Sequence, residues 1–172
     1  HILSGDYEFA ERRLNTGAVD FAVIIGNLPL DNYASLQLPE KDTWGVLMTK
    51  DDPLAKKSAI TAEDLVGRNV LNSQQAENRK YFDSWFGNYK EQINIIGTVN
   101  LNFNGTLLVK NKAAIMLTLD KLANISDESN LTFRPITPML KQPVTVIWKR
   151  ETNLSPVADL FLNRLRASID DD

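Results

Sequence analysis

A helix pattern followed directly by a buried-strand pattern, over residues 6–27, constrains the fold of this 172-residue chain more than any other stretch. Three apolar residues share the spacing of one helical face: Tyr7, Ala10 and Leu14. Asp6 can cap the amino end of this helix, and Gly17 can adopt the left-handed conformation that closes its carboxyl end. Residues 19–25 are apolar almost without interruption, which is typical of a parallel-sheet strand covered on both faces. The stretch therefore predicts half of an α/β unit.

Composition excludes several classes of protein. The net charge of −3 and the pI near 5.2 argue against a nucleic-acid-binding surface, which usually has a basic patch and a pI above about 9. The sequence has no apolar run near the roughly 20 residues that a membrane span requires. Cysteine is absent and His1 is the only histidine, which removes most histidine-based catalysis and most zinc sites. Because phosphate loops, HExxH motifs and nucleophile elbows are also missing, we predict no catalytic residue, no metal and no cofactor.

Uncharged polar residues follow three predicted strand ends, after residues 25, 72 and 99. Ligands of parallel α/β sheets bind outside the carboxyl ends of the strands, where helix amino ends favour anions. Polar groups that do not titrate suit reversible binding rather than bond breaking. The predicted binding residues are Gly26, Asn27, Asn72, Ser73, Gln74, Asn100, Asn102, Phe103, Asn104, Thr106 and Thr118. The alternative for each Asn or Ser is a helix cap or turn, and Arg79 either reaches this region or is solvated.

Two later helices are also predicted. The first carries an aromatic face with the spacing of core residues: Phe82, Trp85, Phe86 and Tyr89. The last begins at Ser155 and Pro156, a capping residue followed by a first-turn proline. Its predicted buried stripe consists of Val157, Leu160, Phe161, Leu165 and Ile169.

Three segments resemble a known family in the expected order. Residues 15–24 (NTGAVDFAVI), 52–55 (DPLA) and 60–67 (ITAEDLVG) are similar to segments of the effector-binding domain of LysR-type transcriptional regulators. The resemblance covers most of residues 5–169. It departs from the family pattern at Lys112 and Ala114, which stand where the family has glycines.

The resemblance implies an α/β fold of two Rossmann-like lobes joined by two crossover strands, similar to type 2 periplasmic binding proteins. Lobe I would comprise residues 1–52 plus 139–172, and lobe II residues 53–138. The family has a winged helix-turn-helix domain and a first strand and helix of lobe I that this sequence does not show. We therefore expect a fragment with a gap in the middle of the first sheet, which is either open or filled by a ligand or a symmetry-related molecule.

The implied function is allosteric and non-enzymatic. A small effector, an organic acid or an amino acid, would bind between the lobes and change how homodimers or homotetramers present their DNA-binding domains. The protein would be cytoplasmic, with no membrane contact and with DNA contacted only through the domain not seen here. The alternative is a solute-binding protein of a transport system. A third possibility, a transferase or dehydratase on the same fold, is disfavoured because no histidine, cysteine or carboxylate cluster is available to it.

Overall fold

The computed structural model describes residues 1–150 and 153–170. The chain forms two compact units, a first unit of residues 1–41 and 142–172 and a second unit of residues 42–141. The predicted lobe boundaries, after residues 52 and 138, stay a prediction. The helices are α1 (Tyr7–Asn15), α2 (Gln74–Asn78), α3 (Asp83–Phe86), α4 (Asn102–Lys110) and α5 (Pro156–Asp170). The strands are β1 (Ala22–Ile25), β2 (Tyr33–Thr49), β3 (Asn69–Ser73), β4 (Asn94–Val99), β5 (Ile115–Leu119), β6 (Leu131–Pro135) and β7 (Lys141–Lys149).

The helix predicted at the start of the chain is confirmed as α1. The Asp6 carboxylate accepts a hydrogen bond from the Phe9 amide at 2.8 Å, which makes it the amino-terminal cap. Gly17 closes the other end with a φ of 71°, a conformation that costs glycine little. Leu14 is fully buried and packs with Ile24 of β1. The helix is therefore held to the sheet by the apolar face that its sequence predicts.

The expectation of a parallel strand covered on both faces is wrong for β1. This strand pairs antiparallel with β7, from Ala22 opposite Ile147 to Ile25 opposite Val144. Val23 is 61% exposed, so one face of the strand is uncovered. In the described part of the chain β1 stands at the end of the strand order and has β7 as its sole neighbour. A continuous apolar run thus does not guarantee that both faces of a strand are buried, because the elements that pack against the strand decide which side chains are buried.

The last helix begins where the sequence predicts but buries a different face. The Ala158 amide donates to the Ser155 hydroxyl oxygen at 3.2 Å, which confirms the cap. Ala158 and Leu162 of α5 are buried, whereas Val157, Leu160 and Phe161 are all more than half exposed. The predicted stripe is therefore wrong in its first part, where Ala158 and Leu162 take the buried positions, while Leu165 and Ile169 are half-buried. Phe21 packs against the half-exposed Phe161, with ring centroids 5.1 Å apart, and against Trp148.

The second unit is built on parallel strands with an antiparallel extension. β3 lies between β4 and β5 and runs parallel to both. β2 pairs antiparallel with β5 and with β6. The core of this unit contains Leu47, Leu71, Val109, Met116 and Leu131, which are almost fully buried.

The aromatic segment of the second unit confirms the predicted core but not the predicted continuous helix. Helix α3 ends at Phe86, where Gly87 takes a φ of 51°, and a 3-10 turn continues over Gly87–Gln92. Phe82 is almost completely buried, and its ring centroid lies 4.9 Å from that of Trp44. Trp85 flanks the same ring at 6.1 Å. A glycine that can take a positive φ interrupts the helix while the aromatic packing is kept.

Candidate functional site

Most of the predicted binding residues of the second unit lie along one edge of its sheet. The parallel register places Asn72 opposite Thr98 and Ser73 opposite Val99, so the carboxyl ends of β3 and β4 are level. β5 runs parallel to β3 on its other side. Residues 72–74, residues 100–106 and Thr118 therefore follow or end neighbouring parallel strands. We call this line of residues the carboxyl edge of the second unit.

Asn72 is held in a single orientation at this edge. Its side chain is buried, and its Nδ2 donates to Glu77 Oε2 at 2.7 Å. Its Oδ1 accepts from the Ser73 amide at 2.8 Å. Ser73 precedes α2 without a capping hydrogen bond from its hydroxyl, and Gln74 is exposed at the first position of that helix. The amide of Asn72 is thus fixed in part by the exposed carboxylate of Glu77, which sequence reasoning did not single out.

A second hydrogen-bonded group joins β5 to α4. The buried Thr118 hydroxyl donates to Asn102 Oδ1 at 2.6 Å, and Asn102 Nδ2 donates to the Leu122 carbonyl at 2.6 Å. The hydroxyl of Thr106 donates to the Phe103 carbonyl at 2.6 Å. These three predicted residues therefore hydrogen-bond within the unit without capping a helix, and their assignment to ligand binding stays a prediction.

The remaining predicted residues of the edge face solvent. Asn100 and Asn104 are exposed, and Phe103 is 65% exposed. Arg79 ends α2 as its carboxyl-terminal cap and is exposed, as expected for a solvated residue. An aromatic face and two amides in reach of solvent give the carboxyl edge groups that can stack on, or hydrogen-bond to, a small molecule.

The two predicted residues of the first unit lie at the end of β1. Gly26 has a φ of 112°, and its amide donates to the Pro143 carbonyl at 2.9 Å. Asn27 follows and is exposed. Gln142 lies beside this turn and is only 5% exposed. Among the described residues its Oε1 has no hydrogen-bond partner. Sequence reasoning missed Gln142 because one amide at the start of an apolar strand forms no pattern, although it is out of place there.

A cavity of about 420 Å³ opens at the other end of the parallel strands of the second unit. Arg68 Nη2 lies 2.5 Å from Asp52 Oδ2, and Lys112 pairs with Asp51. The hydrogen bond from Lys112 holds the pKa of Asp51 below its usual value. Each of these four charges thus has a partner in the cavity wall, and the carboxyl edge remains the candidate binding region.

The described residues give no support to a metal site or to a membrane-spanning helix. Within residues 1–150 and 153–170, His, Asp and Glu side chains form no group of three that could hold a metal ion. The same described part contains no helix that is both long enough and apolar enough to cross a membrane.

The strand ends and the α/β units define a small-molecule-binding domain. Residues 1–170 match the family model of the LysR substrate binding domain, and the chain belongs to this family. The predicted family and the predicted type 2 periplasmic-binding-protein-like fold are confirmed. A search of the curated proteins found no match.

Solved structures of LysR regulators share the fold. HinK, a LysR family transcriptional regulator from Pseudomonas aeruginosa, is 16% identical with a TM-score of 0.75, covering 98% of this chain and 59% of HinK. The effector-binding domain of QuiR in complex with shikimate is 19% identical with a TM-score of 0.75, covering 92% of this chain and 76% of that domain. The regulatory domain of CcmR from Synechocystis PCC6803 in complex with 2-PG is 17% identical with a TM-score of 0.75, covering 95% of this chain and 80% of that domain. This chain thus spans less than two thirds of HinK.

Proposed function

We propose that this chain is the effector-sensing part of a LysR-type transcriptional regulator. The observation that carries the proposal is the carboxyl edge of the second unit, where polar and aromatic residues from neighbouring parallel strands meet in a chain of the LysR substrate binding domain family. Ligands of such sheets bind at this position relative to the strands. Membership of the family favours this function over the solute-binding alternative.

The effector is a small organic acid or an amino acid. QuiR was solved with shikimate and CcmR with 2-PG, so members of this fold accept small acids. In this chain, α4 begins at the carboxyl edge, and the residue before it, Leu101, offers no side-chain cap to the amides of the first turn. Such amides favour an anionic group. Asn100 and Phe103 flank this turn with an exposed amide and an exposed ring.

The full protein works in the cytoplasm as a homodimer or homotetramer that binds DNA through a separate winged helix-turn-helix domain. An effector changes DNA binding only if it binds one arrangement of the oligomer more tightly than another. Coupling of this kind is typically worth about 1–3 kcal/mol, a change of roughly 5–150-fold in affinity. DNA-binding titrations of the full-length regulator with and without an identified effector measure this coupling, and equal affinities in both would contradict it.

The binding function is tested by a thermal-shift screen of this chain against small organic acids and amino acids. An effector at about 100 times its dissociation constant adds about 2.7 kcal/mol to the free energy of unfolding. We expect Ser73→Ala and Asn100→Ala to reduce the shift, because both replace polar groups at the carboxyl edge. Asn94→Ala is the matched control, because Asn94 donates to Asn69 Oδ1 at 2.9 Å at the opposite ends of the same strands.

Two results would count against this assignment. An equal shift in all three variants and the wild type would remove Ser73 and Asn100 from the binding site. A screen in which no organic acid or amino acid raises the melting temperature would contradict the proposed effector class.

A further inference from the structure

The cavity of about 420 Å³ in the second unit has no role in the proposed effector site. Its wall contains Asn69 and Ile115, the first residues of β3 and β5, whereas the carboxyl edge lies at the other ends of these strands. All residues of the wall belong to the second unit. The volume falls in the range of about 300–1,000 Å³ that is typical of small-molecule sites. The cavity is therefore large enough for a ligand of its own.

The wall combines balanced charges with apolar side chains. It contains two carboxylates and two cations, Asp51, Asp52, Arg68 and Lys112. The apolar members include Pro53, Val109, Ala114 and Ile115. Because the four charges sum to zero, a ligand with a net charge of either sign gains little from them as a set. A ligand that carries one positive and one negative group complements such a wall.

The two ion pairs of the wall differ in how firmly they belong to the fold. The Asp52 carboxylate is 11% exposed, lies 2.5 Å from Arg68 Nη2, and also accepts from the Leu54 amide at 2.9 Å. The side chains of Lys112 and Asp51, in contrast, are 61% and 57% exposed. Exposed pairs contribute little to stability. A ligand can therefore separate Lys112 from Asp51 while the inner pair stays in place.

Lys112 has an unfavourable backbone conformation. Its φ is 57°, in the left-handed region that favours glycine. The Lys112 amide donates to the Val109 carbonyl at 2.9 Å, so the turn after α4 imposes this conformation. Glycine is the usual residue at such a helix end, and the LysR-type pattern has glycine here. Ala114, the second departure from that pattern, lies in the same cavity wall. A strained lysine that forms only an exposed ion pair is a candidate for function.

We propose that this cavity is a second small-molecule site, which binds an α-amino acid with an apolar side chain. The carboxylate of the ligand pairs with Lys112 Nζ, and its ammonium group pairs with the Asp51 carboxylate. Both protein charges thus keep a partner when their direct contact opens. The ligand side chain loses contact with water against the apolar part of the wall. This inference does not depend on the proposed effector site, because it uses other residues.

The first measurement compares leucine with two molecules that each lack one of its charges. The probes are leucine, 4-methylpentanoate and 3-methylbutylamine, titrated calorimetrically near neutral pH. We expect leucine to bind the wild type at least about tenfold more tightly than either of the other two. Equal binding of leucine and one of the singly charged probes, or no binding of leucine, would overturn the inference.

The second measurement uses variants of the exposed pair. Lys112→Gly removes the cation and suits the positive φ, so its melting temperature should equal or exceed that of the wild type, while leucine should bind about tenfold more weakly. Lys110→Ala is the matched control, because Lys110 is an exposed lysine at the end of α4 outside the cavity wall. In Asp51→Asn the preference for leucine over 4-methylpentanoate should disappear. A lower melting temperature of Lys112→Gly would show that the lysine serves stability and would contradict the proposed role.

The outcomes separate this inference from the proposed function. Weaker leucine binding in Lys112→Gly, with wild-type binding in Ser73→Ala and Asn100→Ala, supports the cavity whatever the effector screen finds. The reverse pattern would refute the cavity site and would assign leucine to the carboxyl edge. Failure of leucine to bind any of these proteins would refute the cavity site alone, because effector sensing does not require leucine.

Discussion

Replacing Gly45 by alanine should destabilise the second unit through a backbone contact between β2 and β6. Gly45 lies opposite Pro135 in this antiparallel pair. A β-carbon there would lie 2.1 Å from Phe133 Cζ and 2.4 Å from the Arg134 carbonyl oxygen. The ring of Phe133 can turn away, but the carbonyl belongs to the strand. The backbone of β6 must therefore move by about 0.6 Å to restore even a tight contact of 3.0 Å.

The magnitude follows from two opposing effects. Forcing extra atoms into a packed region costs about 1–3 kcal/mol, and a clash with backbone belongs at the upper end. Alanine also restricts the unfolded chain more than glycine does, and this offsets up to about 1 kcal/mol of that cost. We expect Gly45→Ala to lower the free energy of unfolding by about 2 kcal/mol, or the melting temperature by about 4–8 °C in a chain of this length.

Thermal and urea denaturation followed by circular dichroism measure this loss. Gly97→Ala is the control, because its β-carbon would meet Leu71 Cδ2 at an ordinary 3.7 Å, and its stability should change little. Phe133→Leu removes the ring clash but leaves the carbonyl, so the double variant Gly45→Ala, Phe133→Leu should recover part of the loss. Wild-type stability in Gly45→Ala, or full recovery in the double variant, would refute the backbone contact as the cause.

Three further substitutions test local interactions. Asp6→Ala removes a helix cap and should lower stability by about 1 kcal/mol in urea denaturation, whereas Asp6→Asn keeps an acceptor and should not. Burial raises the pKa of Asp64, but hydrogen bonds, chiefly from Lys57, outweigh it and leave the pKa below its usual value. The ionised Asp64 carboxylate stabilises the fold fully above the unfolded pKa near 3.9, and this stabilisation is lost as the pH falls through the lower folded pKa. The free energy of unfolding of Asp64→Asn should therefore change less with pH between about pH 5 and pH 3 than that of the wild type. Arg68→Met leaves the mostly buried Asp52 carboxylate unpaired and should cost about 1–2 kcal/mol; unchanged melting in this variant would show that the pair does not stabilise the unit.

Local sequence signals predicted the structure correctly where an element depends only on its own residues. The caps of α1 at Asp6 and Gly17, and the cap of α5 at Ser155, are confirmed because a cap is satisfied within a few residues of the chain. The family could also be predicted, because residues 15–24 and 60–67 carry a specific pattern.

Predictions failed where distant partners decide the outcome. The antiparallel partner of β1 is β7, more than a hundred residues later, and could not be predicted from the segment of β1 itself. The exposure of Val23 depends in the same way on which elements pack onto the faces of the strand. The buried face of α5 contains Ala158 and Leu162 rather than the larger Phe161, and the sequence of the helix alone does not indicate which face its neighbours cover. Gln142 was missed for the same reason, because its burial beside Gly26 arises from the pairing of two strands.

The distribution of tryptophan gives each unit its own optical reporter. Of the three tryptophans, Trp148 belongs to the first unit, where it contacts Phe21 and lies 5.8 Å below the guanidinium of Arg166. Trp44 and Trp85 belong to the second unit. In a variant with phenylalanine at positions 44 and 85, the tryptophan fluorescence would come from the first unit alone. In Trp148→Phe it would come from the second unit alone. Melting curves of these two variants, followed by tryptophan fluorescence, would show whether the two units unfold together or one after the other.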